Sequence, residues 1–191
     1  MAVAARPIAS RAPRRAECVT QPFELAPVPA LVDAASRTDA GLVREANEDS
    51  VLETPRLLAV ADGMGGHRGG AVASRLAAET LRAVAEVDDP ATALPGAVRC
   101  ANAAVHSLAG TAPDLAGMGT TVTAVALGDN ELTVAHVGDS RLYRLRGGEL
   151  ERLTRDHTPV EELARMGGDG HTIARPLASV LLRAVAGRRV V

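Results

Sequence analysis

The sequence has no lysine: all 21 of its basic residues are arginine. In a chain so rich in alanine and glycine this bias follows GC-rich coding, so arginine identity by itself carries little functional weight. Cysteine is nearly absent. The two present, Cys18 and Cys100, make neither a metal-binding spacing nor a disulfide framework, and a reducing, cytoplasmic compartment is expected. Long apolar runs are missing too. The longest uncharged stretches, Cys100–Pro113 and Leu115–Gly128, are broken by Gly, Thr or Asn and fall short of the about 20 apolar residues of a membrane span. No continuous apolar stretch accompanies Arg6, Arg11, Arg14 and Arg15, which argues against a secretory signal. An Arg/Ala/Ser-rich, acid-poor start also suits a transit peptide, but a disordered basic leader is the simpler reading. Finally, there is no excess of one charge. With 21 basic and 23 acidic residues, the net charge of −2 lacks the basic surplus of a nucleic-acid-coating protein.

What is present is a chain of 191 residues, 47% hydrophobic, enough for one domain with a packed core and too apolar for wholesale disorder. Residues 1–35 carry five prolines and little periodicity, which predicts a flexible Pro/Arg/Ala-rich leader, with the folded domain spanning 36–191. Short strands are expected over Ser50–Glu53 and Leu57–Ala61 around a turn at Thr54-Pro55. After a glycine cluster, a helix is expected from Ala71 to about Val87, with Val72, Leu76, Thr80 and Val84 on one stripe. A second, alanine-rich helix runs from Pro90 to about Leu108. The second half reads as a β-meander: a strand over Met118–Leu127, a turn at Gly128-Asp129-Asn130, a strand from Leu132 to Val137, then a pair at Arg141–Leu145 and Glu149–Leu153. Residues 159–166 look helical. Helices followed by consecutive hairpins indicate an α+β fold.

Three acidic segments stand out: Arg44-Glu45-Ala46-Asn47-Glu48-Asp49, Asp62-Gly63-Met64-Gly65-Gly66-His67 and Gly138-Asp139-Ser140-Arg141. Carboxylates at strand ends beside glycines suit hard divalent cations, which take oxygen ligands and keep several waters. Each segment alone also reads as an ordinary turn, since Asp-Gly is a common turn dipeptide. In this order and at these strand ends, the turn reading becomes hard to sustain for all three together. His136, Asp139 and Ser140 do not make a hydrolase triad, because no Gly-x-Ser-x-Gly elbow is present.

These residues resemble the metal-dependent PPM/PP2C-type serine/threonine phosphatases in their bacterial form. The matching stretches are Thr38–Arg44 with Asn47-Glu48-Asp49, then Val60–His67, Gly119-Thr120-Thr121, Val137–Arg141 and Thr154–Thr158, in the family's order. The resemblance covers about Ser36 to Gly187. It implies a β-sandwich flanked by α-helices in α-β-β-α layers, and hydrolysis of phosphoserine and phosphothreonine by a metal-activated water. It implies two Mg²⁺ or Mn²⁺ ions and a third, weaker site. Asp49 and Asp62 would bind metal, the Gly63 carbonyl would complete one ion's shell, and Glu48 would act through a water. Asp139 would serve the third ion or a metal water. Arg44 would bind phosphate, and His67 would act as an acid or in the outer shell. Phosphorylated proteins, a Ser/Thr kinase and its substrates are the implied partners.

The family pattern continues past the segment resembling Arg175-Pro176 through Gly187, with a Ser-Asp-Gly motif and a later Asp-Asn pair. This sequence has neither before Val191, and Asp169-Gly170 lies in the wrong place. The expectation is therefore a domain incomplete at the C-terminus, lacking the family's last strands and with the second metal site impaired. The competing reading is a non-catalytic remnant or regulatory binding module.

Overall fold

The computed structural model describes residues 33–42, 45–65, 68–128, 131–167 and 180–186. The predicted leader, apart from its last three residues, lies outside the described residues. The element order is β1 (Asp49–Glu53), β2 (Leu57–Met64), α1 (Gly69–Arg82), α2 (Pro90–Thr111), β3 (Gly119–Thr120), β4 (Val122–Leu127), β5 (Leu132–Val137), β6 (Tyr143–Arg146), β7 (Glu149–Arg152), α3 (Pro159–Arg165) and β8 (Val185–Ala186). The α+β expectation holds.

One antiparallel sheet organises the molecule. β2 is central, pairing with β1 on one side and with β3 and β4 on the other, while β5 extends β4 and β8 extends β3. Successive strand residues face opposite ways, so the sheet has two distinct faces. Leu52, Leu57, Ala59, Val122, Ala124, Ala126 and Ala135 belong to one face and form the main core with Ala73, Ala77 and Leu81 of α1 and Leu94, Val98, Ala101 and Val105 of α2. The other face holds a smaller cluster of Val125, Leu132 and Val134, capped by Leu142 and flanked by Leu153. Asp89 caps α2, its carboxylate accepting from the Thr92 N–H at 3.2 Å, and Pro90 occupies the first turn, where a missing N–H costs nothing.

Several sequence expectations need correction. The buried residues of α1 are Gly69, Gly70, Ala73, Ser74, Ala77, Ala78 and Leu81; of the expected stripe Val72, Leu76, Thr80 and Val84, Val84 is buried in the main core, whereas Val72 and Leu76 only flank it. Small residues let the helix lie close to the sheet, so packing distance rather than side-chain bulk selects the inward face. The helix begins at Gly69 and passes at Ala83–Glu86 into a tighter turn. The expected strand over Met118–Leu127 is split at Thr121 into β3 and β4. The meander does not continue past β5, because β6 and β7 form a separate two-stranded sheet. Gly138, at φ +115°, turns the chain away. Leu142 keeps one backbone bond, accepting from the Leu153 N–H at 2.8 Å, and side chains hold the rest of Arg141 and Leu142. The first shares a two-pronged ion pair with Asp156, and the second donates its N–H to Thr154 Oγ1 at 2.9 Å. β8 had no counterpart in the sequence reading.

Candidate active site

The first two acidic segments meet through β-pairing. The Gly63 N–H donates to the Glu48 carbonyl at 3.1 Å, which makes Asp49 and Asp62 the next facing pair. That pair lies between hydrogen-bonded positions, where facing Cα atoms come to about 4.5 Å and both side chains share one face. The two aspartates thus sit side by side on the face away from α1 and α2, Asp62 exposed and Asp49 half-buried. Like charges directly opposite one another destabilise a sheet. A divalent cation between them reverses the sign of that interaction.

The sequence before β1 fixes Asp49. Asn47 Oδ1 accepts from the Asp49 N–H at 3.0 Å, the two-residue reach typical of asparagine in turns. Asn47 Nδ2 donates to Thr38 Oγ1 at 2.7 Å, and Thr38 Oγ1 donates to Asp49 Oδ2 at 3.1 Å. Neither Thr38 nor Asn47 had been given a role from sequence, although the Asx spacing was visible there. Asp39 closes the preceding turn by accepting from the Gly41 N–H at 2.8 Å.

Glu48 points elsewhere. A Cβ on Gly70 would lie 2.6 Å from Glu48 Oε1, so this carboxylate rests against the first turn of α1, on the helix side of the sheet. That turn carries no acidic residue of its own, and a carboxylate beside a helix N-terminus is favoured by the helix dipole. Ser74 Oγ reinforces the contact by donating to the Glu48 carbonyl at 2.6 Å, with Ser50 Oγ 3.0 Å from it. Gly63 and Gly70 make the close approach possible. A Cβ on Gly63 would lie 2.2 Å from the Gly70 carbonyl oxygen and 2.6 Å from that of Glu48.

The third segment follows β5. Gly138 and His157 exchange two bonds: the His157 N–H donates to the Gly138 carbonyl at 2.8 Å, and the Gly138 N–H to His157 Nδ1 at 3.1 Å. Asp139 is exposed on the resulting loop. His136 is buried and fully engaged, its Nε2 donating to the Arg155 carbonyl at 2.9 Å while Nδ1 lies 2.9 Å from Thr123 Oγ1. Its place in the sheet is structural, and His157, between β7 and α3, ties that segment to Gly138.

Burial, then the neighbouring His136, push His157 down to about 4, and burial lowers His136 as well. Between pH 4 and 6.5 the unfolded chain therefore binds more protons than the folded one, and stability is lost as pH falls through that window. The drop in Tm from pH 7 to pH 4.5 is expected to be smaller in His157→Gln than in the parent, which thermal melts in paired buffers will show.

Among the described residues no three His, Cys, Asp or Glu side chains converge to hold a metal ion. The structure brings Asp49 and Asp62 together; it leaves Glu48 and Asp139 outside that pair. Arg44 and His67 lie outside the described residues. The donor chemistry of the aspartate pair, all-oxygen, anionic and open to solvent, fits a hard divalent ion that keeps part of its water shell.

Comparison with known proteins identifies the family. The protein phosphatase 2C family pattern matches residues 36–167. The chain is 45% identical over 166 residues to serine/threonine protein phosphatase PstP of Mycobacterium tuberculosis, covering 82% of this chain and 31% of that protein. It thus spans about a third of that relative's length. The crystal structure of Mycobacterium tuberculosis PstP/Ppp superposes with a TM-score of 0.74 at 44% identity, covering 82% of this chain and 68% of that one. The PstP catalytic domain in complex with two manganese ions gives 0.70 at 43% identity, covering 82% and 67%. With the family's pattern matching residues 36–167 and a curated relative 45% identical over 166 residues, this chain belongs to the protein phosphatase 2C family.

Proposed function

We propose that the chain is a metal-dependent phosphoprotein phosphatase that hydrolyses phosphoserine and phosphothreonine. The observation that carries this reading is the facing pair Asp49 and Asp62 on one exposed sheet face, in a chain whose relatives are named serine/threonine phosphatases. Two adjacent carboxylates repel a phosphate dianion, so the pair needs a cation before it can work on a phosphoester. Mn²⁺ or Mg²⁺ is the fitting ion, and a neighbouring structure holds two manganese ions. Bound there, such an ion supplies charge to phosphoryl oxygens and lowers the pKa of its water.

The chain's own residues do the rest. Asp49 and Asp62 would hold the cation, with the Gly63 carbonyl beside them and Asp139 acting from the flank through water, while Glu48, expected from sequence to act through a water, is directed to α1 on the opposite face. Arg44, shortly before β1 in sequence, carries a planar guanidinium fork suited to two phosphate oxygens. His67, the last residue of the second segment, serves as an acid or in the outer shell. The open face admits a phosphorylated side chain of another protein. Its partners are phosphoproteins and the kinase that makes them, met in the cytoplasm. Residues 36–191 form the phosphatase domain and 1–35 its leader. Among the described residues no helix is long and apolar enough to cross a membrane.

The substrate class is tested by phosphate release from matched phosphothreonine, phosphoserine and phosphotyrosine peptides with Mn²⁺ present. Release from the first two, at least tenfold faster than from the third, is expected; preference for phosphotyrosine contradicts the reading. Losing a charged two-pronged contact costs about 1.5–3 kcal/mol. Arg44→Ala is therefore expected to raise KM about 10- to 100-fold while kcat changes little. An unchanged KM would remove Arg44 from the phosphate site.

A further inference from the structure

The ladder on the β3–β4 side of β2 is interrupted at a single residue, Thr121. Asp62 lies between the paired positions Val60–Thr123 and Gly63–Thr120, so it faces Thr121. Facing residues at such a position normally exchange two backbone bonds. Here the Thr121 N–H donates to the Asp62 carbonyl at 2.9 Å, but the return bond from the Asp62 N–H ends on the Thr121 hydroxyl, at 3.0 Å. The Thr121 carbonyl instead accepts from the Thr120 hydroxyl at 2.9 Å, which also reaches the Asp62 carbonyl at 3.0 Å. A side chain has replaced the backbone acceptor at the residue that bears the candidate ligand.

That side chain is held from behind. Thr121 Oγ1 is 2.7 Å from Ser140 Oγ, one residue beyond Asp139. Gly138, one place past the Val122–Val137 pair, faces Thr121 on the far side. A Cβ there would lie 2.6 Å from Thr121 Cγ2, so the glycine lets the threonine keep its rotamer. Asp49, Asp62, Thr121 and Gly138 thus form one row across four strands, ending at the loop of Asp139 and Ser140. Both hydroxyl threonines are buried, where an unmade hydrogen bond is expensive and a made one is directional.

We propose that Thr121, locked by Ser140, is a positioning residue for Asp62. Its hydroxyl sets the orientation of the Asp62 peptide, and with it the direction of the carboxylate toward Asp49, and couples that carboxylate to the Asp139 loop. The inference rests on the reading of Asp49 and Asp62 as cation ligands. Valine at 121 keeps the β-branched shape and the strand, but leaves the Asp62 N–H to turn to a backbone carbonyl, which rotates the peptide.

The test is calorimetric titration of the purified chain with Mn²⁺, comparing the parent, Thr121→Val and Thr121→Ser, each first melted in chelator. Groups that orient a metal ligand typically cost 10- to 100-fold in metal affinity when removed. Thr121→Val is expected to bind Mn²⁺ at least tenfold more weakly while melting cooperatively, and Thr121→Ser, which keeps the hydroxyl, to stay within about threefold of the parent. Equal affinity in the parent and Thr121→Val overturns the inference and leaves the metal reading standing. A folded parent that takes up no Mn²⁺ overturns both. If Thr121→Val does not fold, Ser140→Ala removes only the locking hydroxyl. A loss of about threefold or more supports the clasp, and unchanged affinity overturns it.

Discussion

Asp62→Asn, melted in chelator, is expected to unfold at the same temperature as the parent or up to about 4 °C above it. The reason is the facing pair. Asp49 and Asp62 occupy opposed positions on β1 and β2, and relief of such a like-charge contact is worth about 0.2–1 kcal/mol, or roughly 2–4 °C per kcal/mol in a chain of this size. With Mn²⁺ added the order reverses. Ligand that binds only the folded state stabilises it by about 2.7 kcal/mol at a hundredfold excess over Kd, so the parent rises by several degrees while the variant does not. Phosphate release falls at least 100-fold in the variant. A variant less stable than the parent in chelator would show that the two carboxylates are held by something other than a cation. Undiminished release would remove Asp62 from the chemistry.

Gly63→Ala carries the second large effect, and its origin is steric. Its Cβ would meet backbone atoms, the Gly70 carbonyl oxygen at 2.2 Å and the Glu48 carbonyl oxygen at 2.6 Å, so no side chain can swing away to make room. The end of β2, the start of α1 and the segment before β1 must then separate, and these carry Asp62, Gly70 and Glu48. A loss of about 3 kcal/mol is expected, which lowers Tm by about 10 °C, together with weakened Mn²⁺ uptake. Circular dichroism melts and metal titration check the two parts. A fall of less than about 2 °C would mean that the three backbone segments are not in contact as described. Gly41, by contrast, has open space around its Cβ position, and its φ of +75° is the reason for glycine there.

The sequence made the acidic segments legible because each is local: Asp62-Gly63 ends a strand, and Asn47 sits two residues before Asp49 as an Asx turn requires. The strands at 50–53 and 57–61, the helix beginning at Pro90 and the short helix near 159 also follow from local patterning, and their observed bounds differ by a few residues. What sequence could not reveal is register. That Asp49 faces Asp62, and that Thr121 faces Asp62 from the other side, depends on which strands lie together. The same limit explains Glu48, adjacent to Asp49 in sequence yet directed to α1 on the opposite face. Alternation along a strand separates neighbours that a motif joins. Val72 and Leu76 lie beside the inward stripe of α1 because Ala73, Ser74 and Ala77 are small, and hydrophobic periodicity weights bulk over closeness of approach. The detachment of β6 and β7 turns on Gly138 and on the ion pair between Arg141 and Asp156, fifteen residues apart.

The most direct test of the account is the initial rate of phosphate release from a phosphothreonine peptide as a function of free Mn²⁺, measured in parallel for the parent and Asp49→Asn. A parent rate that rises from background to a plateau with Mn²⁺ and vanishes in chelator, with the Asp49→Asn curve at least 100-fold lower, is the predicted result. A rate independent of Mn²⁺, or the same curve for both proteins, would contradict the claim that the facing aspartates form the working cation site.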